Sequence, residues 1–236
     1  MGVRNGNAQF QRMMEWVLKD LPYADVYVDD VIIGWTGETE QELVSNHAKH
    51  LDEVLSLCPR HNLVAKLSKA AFFSHSVEFC GQILEGGRRR PQPGKLDAIQ
   101  RWELPTTLTR LRGFLGVANY YSNYLKGYAE TVGPLMDLLK VPKGKSKGKE
   151  PKRLVWTPEA ERSFIETKKI LAQRLELFIV EPDRPFHMET DASNFAIGTT
   201  LKQCDEDGIR TGTVGVMYPV AFFSRKLQSS QQNWSP

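Results

Sequence analysis

Cysteine is scarce in this sequence. Cys58, Cys80 and Cys204 are widely spaced and odd in number, which excludes the paired framework of a small disulfide scaffold and points to free thiols in a reducing compartment. Long apolar runs are also missing. No stretch approaches the ~18 apolar residues of a membrane-spanning helix, and the first twenty residues hold no apolar core of signal-peptide length. The expectation is an intracellular protein, not secreted and with no membrane partner. Met1-Gly2 does not complete a myristoylation signal, because Gly6 stands where Ser or Thr is wanted. A strong charge excess is absent as well. The 31 Lys and Arg stand against 28 Asp and Glu, a balance of +3 in 236 residues. That balance alone does not argue a nucleic-acid partner; the distribution of charge has to do so. Internal repeats are not seen. What remains is ordinary globular composition, 41% hydrophobic and 25% charged, with length for one large or two small domains.

Against this background the stretch "DVYVDDVIIGW", Asp25 to Trp35, is unusual. Val26, Val28, Val31, Ile32 and Ile33 are strand formers, and Asp29 and Asp30 interrupt them. One reading is two short strands with a turn at the aspartates, whose side chains bond nearby backbone. The other is a metal site, because two carboxylates on a tight turn present hard oxygen ligands side by side, as Mg²⁺ requires. The local pattern is compatible with both.

Helical spacing of Phe10, Met13, Met14, Val17, Leu18 and Leu21 predicts a first helix with Asn7 as its cap. Thr39-Glu40-Gln41-Glu42 is a capping-box pattern. It opens a helix bearing Leu43, His47, Leu51, Val54 and Leu57, and Pro59 is expected to end it. "VEFCGQILEGG" reads as a strand and a turn at Gly86-Gly87, and "RRRPQPG", Arg88 to Gly94, as a loop. Lys95 to Trp102 reads as a short helix and Thr109 to Tyr128 as a longer one. Lys140 to Arg153 is a basic flexible linker. Thr157-Pro158 starts a helix that reaches about Leu171. After Pro182, "FHMETDAS", "AIGTTLKQ" and "YPVAFFSRKL" are three strand candidates. The linker and the change of pattern put a domain boundary between about 140 and 182.

Two further constellations carry weaker signals. His47, His50, Cys58 and His61 are zinc-type ligands, but they straddle a helix end and read more simply as ordinary helix histidines. The acidic turn Asp205-Glu206-Asp207-Gly208 reads as a solvated loop rather than a cation site.

Several segments taken in order resemble the reverse transcriptases of long-terminal-repeat retrotransposons, the Ty3/gypsy class. "YVDD" is similar to the catalytic turn. "GVRNGNAQFQRMM" is similar to "GLxNAPxxFQRLM", with Gly6 and Asn7 where Ala and Pro are usual. "VEFCG" resembles the primer grip "VxFLG", and "LRGFLGVANYYSNYL" the thumb helix "LRSFLGLxNYYRRFI". "PFHMETDAS" and "YPVAFFSRKLQSSQQNWS" resemble ribonuclease H motifs.

The resemblance implies an α/β (α+β) fold: a partial right-hand polymerase palm and thumb followed by the N-terminal part of a ribonuclease H-like domain. Residues 1–85 correspond to the palm, 86–140 to the thumb, 141–182 to a basic linker and connecting helix, and 183–236 to the ribonuclease H-like part. It implies an RNA-directed DNA polymerase with attached ribonuclease H. Asp29, Asp30 and Asp191 would be metal-binding and catalytic, with two Mg²⁺ per active site, or Mn²⁺ in their place. Lys69 would protonate the leaving pyrophosphate, with Lys66 as the competing lysine. Tyr27, Val28, Phe79, Cys80, Gly81, Gly116, Asn119 and Tyr120 would touch nucleic acid. Arg88, Arg89, Arg90 and the linker residues Lys143, Lys145, Lys147 and Lys149 would face phosphates or solvent. The implied partners are an RNA template, a DNA primer, an RNA–DNA hybrid, dNTPs and the rest of a Pol polyprotein. The implied locations are a cytoplasmic virus-like particle or the nucleus. The family's third palm carboxylate and its later ribonuclease H acids have no counterpart within the sequence. The expectation is therefore an internal segment that does not catalyse alone, with a decayed or domesticated nucleic-acid-binding element as the alternative.

Overall fold

The computed structural model describes residues 5–35, 37–140, 154–173, 175–204, 215–228 and 230–233. The chain divides into two compact units, Met1–Gly86 and Gly87–Pro236.

In the first unit, α1 (Gly6–Leu18) buries Met14, Val17 and Leu18, the stripe its spacing predicts. Its cap position is Asn5 rather than Asn7, with a left-handed backbone (φ 67°) and no side-chain cap bond. Strands β1 (Ala24–Tyr27) and β2 (Asp30–Ile33) form an antiparallel hairpin in which Ala24 faces Ile33 and Tyr27 faces Asp30. Alternation sends Val26 inward, where it joins Met14, Val17, Leu18 and Val54 in a small core. Each such side chain contributes about 1.5–3 kcal/mol on full burial. The hairpin's other face, with Asp25, Tyr27 and Asp30, is left exposed.

Helix α2 (Glu40–Arg60) starts at the expected capping box. Thr39 Oγ1 accepts from the Glu42 N–H at 3.2 Å, and Glu42 Oε2 accepts from the Glu38 N–H at 3.3 Å. Pro59 does not end the helix but lies inside its last turn. A proline there removes a single amide donor, and the end is closed beyond it, where the Leu63 N–H donates to the Cys58 carbonyl at 2.8 Å. "VEFCGQILEGG" forms two strands rather than one: β3 (Ser76–Phe79) and β4 (Gln82–Glu85) pair around a Cys80-Gly81 turn. Both turn residues have positive φ, 49° and 73°, the primed geometry that suits a two-residue hairpin.

In the second unit, part of the expected Arg88–Gly94 loop is a strand. β5 (Arg88–Pro91) pairs with β6 (Leu177–Phe178). Helices α3 (Pro93–Gln100) and α4 (Leu108–Tyr120) follow. The single helix expected over Thr109–Tyr128 is broken into α4, a 3-10 turn (Ser122–Tyr124) and α5 (Tyr128–Thr131). Tyr121, Tyr124 and Tyr128 are all buried, and a spacing of three or four residues satisfies a 3-10 turn as well as an α-helix. Gly127, at φ 71°, reverses the chain before α5. α6 (Gly133–Leu138) and α7 (Pro158–Leu171) complete the helical layer. α7 is capped as predicted, with Thr157 Oγ1 accepting from the Ala160 N–H at 3.2 Å. Phe114 is fully buried, 4.6 Å from the Phe164 ring and 5.9 Å from Trp102.

The three predicted strands form one antiparallel sheet in the order β7 (Phe186–Ala192), β8 (Ala196–Cys204), β9 (Met217–Lys226). The Ala129 N–H donates to Ser224 Oγ at 2.8 Å, and Lys226 Nζ reaches Asp137 at 2.7 Å and the Gly133 carbonyl at 3.3 Å. The expected thumb and ribonuclease H-like parts thus fall within a single compact unit.

Candidate active site

The Asp29–Asp30 turn is a two-residue loop of Val28 and Asp29, with Asp30 already in β2. The turn therefore begins one residue before the aspartate pair. Val28 has φ 58°. The first loop position of such a hairpin normally takes glycine. A β-branched residue held there costs on the order of 1–3 kcal/mol, so the surroundings must enforce it. Gln11 on α1, a residue that periodicity did not single out, reaches this turn. Its Oε1 accepts from the Val28 N–H, and its Nε2 donates to the Val26 carbonyl at 3.0 Å. Asp29 and Asp30 are exposed, and among the described residues neither carboxylate forms a hydrogen bond or an ion pair. Tyr27 is 60% exposed beside them.

The Cys80-Gly81 turn lies near the same face of the hairpin. Burial, and after it the charges of Asp30 and Asp25, push the Cys80 thiol above its usual range. Phe79, Cys80 and Gly81 are half-buried. Within this unit the fold therefore brings the expected primer-grip turn within electrostatic reach of Asp30. Lys69 ends an exposed 3-10 turn (Leu67–Lys69), with Lys66 at its start. Neither lysine pairs with an aspartate among the described residues.

In the second unit, α4 presents two faces. Leu111, Phe114, Leu115, Ala118 and Tyr121 are buried, while Gly116, Asn119 and Tyr120 are exposed on the other side. A Cβ built on Gly116 would meet nothing within 4 Å. The glycine is thus not explained by packing against the described residues, although it costs a helix interior up to about 1 kcal/mol against alanine. Arg88 is exposed, in keeping with the expectation that it faces phosphates or solvent, whereas Arg89 is half-buried. Arg88 pairs with Glu176 at 2.9 Å and lies over the Phe178 ring. Arg89 donates to the Val220 carbonyl at 2.8 Å and lies over Tyr124. Both are spent holding β5 and its neighbours. Arg90 is half-buried.

Asp191 is on the edge strand β7, whose residues are all exposed. It lies abreast of Gly198 and Ser224 across the sheet. A cavity of about 370 Å³ opens on this side, lined by Asp191, Glu189, Lys126, Glu130, Gly198 and Ser224 among others. Gly198 leaves it open, since a Cβ there also meets nothing within 4 Å.

The zinc alternative is not realised. His47 packs on Phe73, His50 is buried and stacked on Tyr23 at 3.7 Å, Cys58 Sγ donates to the Val54 carbonyl, and His61 abuts Trp16. No group of three metal-ligating side chains comes together among the described residues. The acidic turn Asp205 to Gly208 and the linker lysines lie outside those residues.

Comparisons with known proteins match these parts. Residues 1–84 match the model "Reverse transcriptase (RNA-dependent DNA polymerase)", and residues 156–236 match "RNase H-like domain found in reverse transcriptase". The retrovirus-related Pol polyproteins of transposons opus and gypsy from Drosophila melanogaster are 32% and 33% identical over 99% of this chain. The chain spans about a fifth of their length, 22% and 21%. The foamy viral protease–reverse transcriptase in complex with RNA/DNA hybrid superposes with a TM-score of 0.80 at 24% identity, over 100% of this chain and 29% of that one. The same protein in complex with double-stranded DNA gives 0.78. The folds agree, and both families use divalent metals. The chain belongs to the reverse transcriptases, as a reverse-transcriptase and RNase H-like segment of a retrotransposon Pol polyprotein.

Proposed function

We propose that this segment forms part of an RNA-directed DNA polymerase with an attached ribonuclease H. Its substrates are then an RNA template, a DNA primer, dNTPs and the RNA–DNA hybrid product. The observation that carries the reading is the Asp29–Asp30 turn: adjacent exposed carboxylates that no described cation neutralises. Two like charges left side by side suit a divalent cation with hard oxygen preference, and Mg²⁺ fits, with Mn²⁺ as a substitute. A bound divalent cation supplies charge neutralisation at the transferring phosphoryl group.

The chain's own residues have separate tasks. Asp29 and Asp30 hold the cation, and the hairpin fixes their positions against the primer end. Cys80-Gly81 bears on the primer terminus, and Gly81 lets backbone come close. Gly116, Asn119 and Tyr120 lie along the hybrid without reading its sequence. Lys69, or Lys66, gives a proton to the departing pyrophosphate. Asp191, in its open cavity, serves hydrolysis of the RNA strand. The working place is a cytoplasmic virus-like particle or the nucleus.

The test is primer extension and hybrid cleavage by the full-length protein with Mg²⁺. Asp29→Asn abolishes extension and spares cleavage; Asp191→Asn does the reverse. Extension that survives Asp29→Asn overturns the assignment. An unsubstituted protein that binds hybrid but performs neither reaction supports the domesticated-element alternative.

A further inference from the structure

This inference rests on the polymerase reading of the Asp29–Asp30 turn and adds a positioning residue to it. We infer that Gln11 holds Val28 in its left-handed conformation and so determines where Asp29 and Asp30 are presented.

A carboxamide has two N–H donors and one acceptor oxygen, and all of Gln11's groups are engaged. Nε2 donates to the Val26 carbonyl at 3.0 Å and to Glu15 Oε1 at 2.8 Å, while Oε1 accepts from the Val28 N–H. The two backbone groups flanking Tyr27 are therefore held by one side chain. Glu15, one turn along the helix, fixes which end of the amide faces Val28. A flipped amide would set N–H against N–H there and offer Glu15 an oxygen.

The consequence is mechanical. Val28 occupies φ 58°, a region a β-branched residue does not choose unaided. If Val28 relaxed to negative φ, its N–H would rotate away from Gln11, and the next two residues would be re-aimed. Those residues are Asp29 and Asp30. Gln11 itself is anchored, because α1 is fixed by Met14, Val17 and Leu18 in the core. The carboxylates are thus referenced to the core through a single amide. A valine turn gains from this arrangement a rigidity that a glycine turn would lack.

The experiment uses the whole 236-residue chain. Hydrogen exchange of the Val28 amide is followed by NMR, and Mn²⁺ is titrated while the broadening of the Asp29 and Asp30 signals is read. In Gln11→Met, which keeps length and helix propensity but removes the amide, the Val28 amide exchanges about tenfold faster, equivalent to ~1.4 kcal/mol. The Mn²⁺ concentration for half-broadening rises several-fold. Gln9→Met, on an exposed position of the same helix, changes neither. In a Val28→Gly background, where positive φ carries no steric cost, Gln11→Met has a smaller effect on Mn²⁺. Where Gln11→Met does not fold, Gln11→Asn, which withdraws the amide by one methylene, gives the same readings. Unchanged Val28 exchange and Mn²⁺ response in a folded Gln11 variant overturn the inference. No Mn²⁺ broadening at all in the unsubstituted chain overturns the polymerase reading instead.

Discussion

Gly116→Ala should make the protein more stable and a poorer ligand for an RNA–DNA hybrid. The two effects have opposite signs because they have different causes. Gly116 lies in the interior of α4, and its added Cβ meets nothing within 4 Å. No clash opposes the substitution, so the helix gains alanine's propensity and the unfolded chain loses freedom, together about 0.4–1 kcal/mol. In a unit of this size 1 kcal/mol moves the melting temperature by about 2–4 °C. The exposed side of that turn carries Asn119 and Tyr120. A nucleic-acid backbone seated there would meet the new methyl group, and a larger one would separate the surfaces further. Hybrid affinity, read by fluorescence anisotropy at fixed salt, should therefore fall modestly in Gly116→Ala and about tenfold or more in Gly116→Leu, a loss of at least ~1.4 kcal/mol. Calorimetry of the same samples supplies the other half. A lower melting temperature for Gly116→Ala would mean that the glycine serves packing. Unchanged affinity in Gly116→Leu would mean that this face does not touch nucleic acid.

Phe114→Ala removes a fully buried ring from between Trp102 and Phe164 and should cost about 3–5 kcal/mol, read as a shifted urea midpoint with unchanged slope. Thr39→Ala deletes the cap of α2 and should cost about 1 kcal/mol, whereas Thr39→Ser should cost little. Burial acts to raise the Asp137 carboxyl, but hydrogen bonds and charge from Lys226 and Lys140 outweigh it and hold the group below the ordinary range. The folded value is depressed, so the stabilisation is present above the unfolded-state pKa and is lost as pH falls through the folded one. Lys226→Met should lower stability near neutral pH by up to about 1 kcal/mol, since the pair is partly exposed; an equal deficit at pH 2 and pH 7 would refute the linkage. Hybrid binding should weaken linearly with the logarithm of salt concentration. Asn119→Ala and Tyr120→Ala should lower the affinity, and a salt-independent affinity would exclude phosphate contact.

The legible parts of this sequence were those governed by neighbours in the chain. The caps at Thr39 and Thr157, the inward stripe of α1 and the three strands after Pro182 follow from local spacing and turn chemistry. The break after α4 was not legible, because Tyr121, Tyr124 and Tyr128 satisfy either kind of helical turn. The strand at Arg88–Pro91 was hidden because three arginines and a proline show no alternation of apolar and polar residues, and Leu177–Phe178, with which it pairs, lies nearly ninety residues away. Three adjacent arginines looked like a solvated charge run. Arg88 is exposed as such a run implies, yet it also meets an acid and an aromatic face, and Arg89 finds a carbonyl, contacts that composition cannot reveal. Gln11 lies within the "FQRMM" match, but its task was not legible for the same reason. Its partners are backbone groups fifteen and seventeen residues away, and no side-chain pattern records a bond to a backbone amide.

The "SRKL" motif shows how a resemblance can point to the right family while leaving the work of its residues open. Its place in a ribonuclease H-type segment suggests service to Asp191. Two of its side chains do something else. Ser224 accepts from the Ala129 N–H, and Lys226 joins Asp137 and the Gly133 carbonyl. These contacts fasten β9 to α5 and α6, in the part that resembles the polymerase thumb. Ser224 lies abreast of Asp191 across the sheet, so the strand that is fastened also borders the cavity at that carboxylate. Lys126 and Glu130, from the same helical region, also line that cavity. A displacement of α5 relative to β9 would therefore change the shape of the Asp191 cavity, with the bond from Ala129 to Ser224 resisting it. The surroundings of Asp191 are built jointly by the two parts, and neither motif read alone contains that cavity.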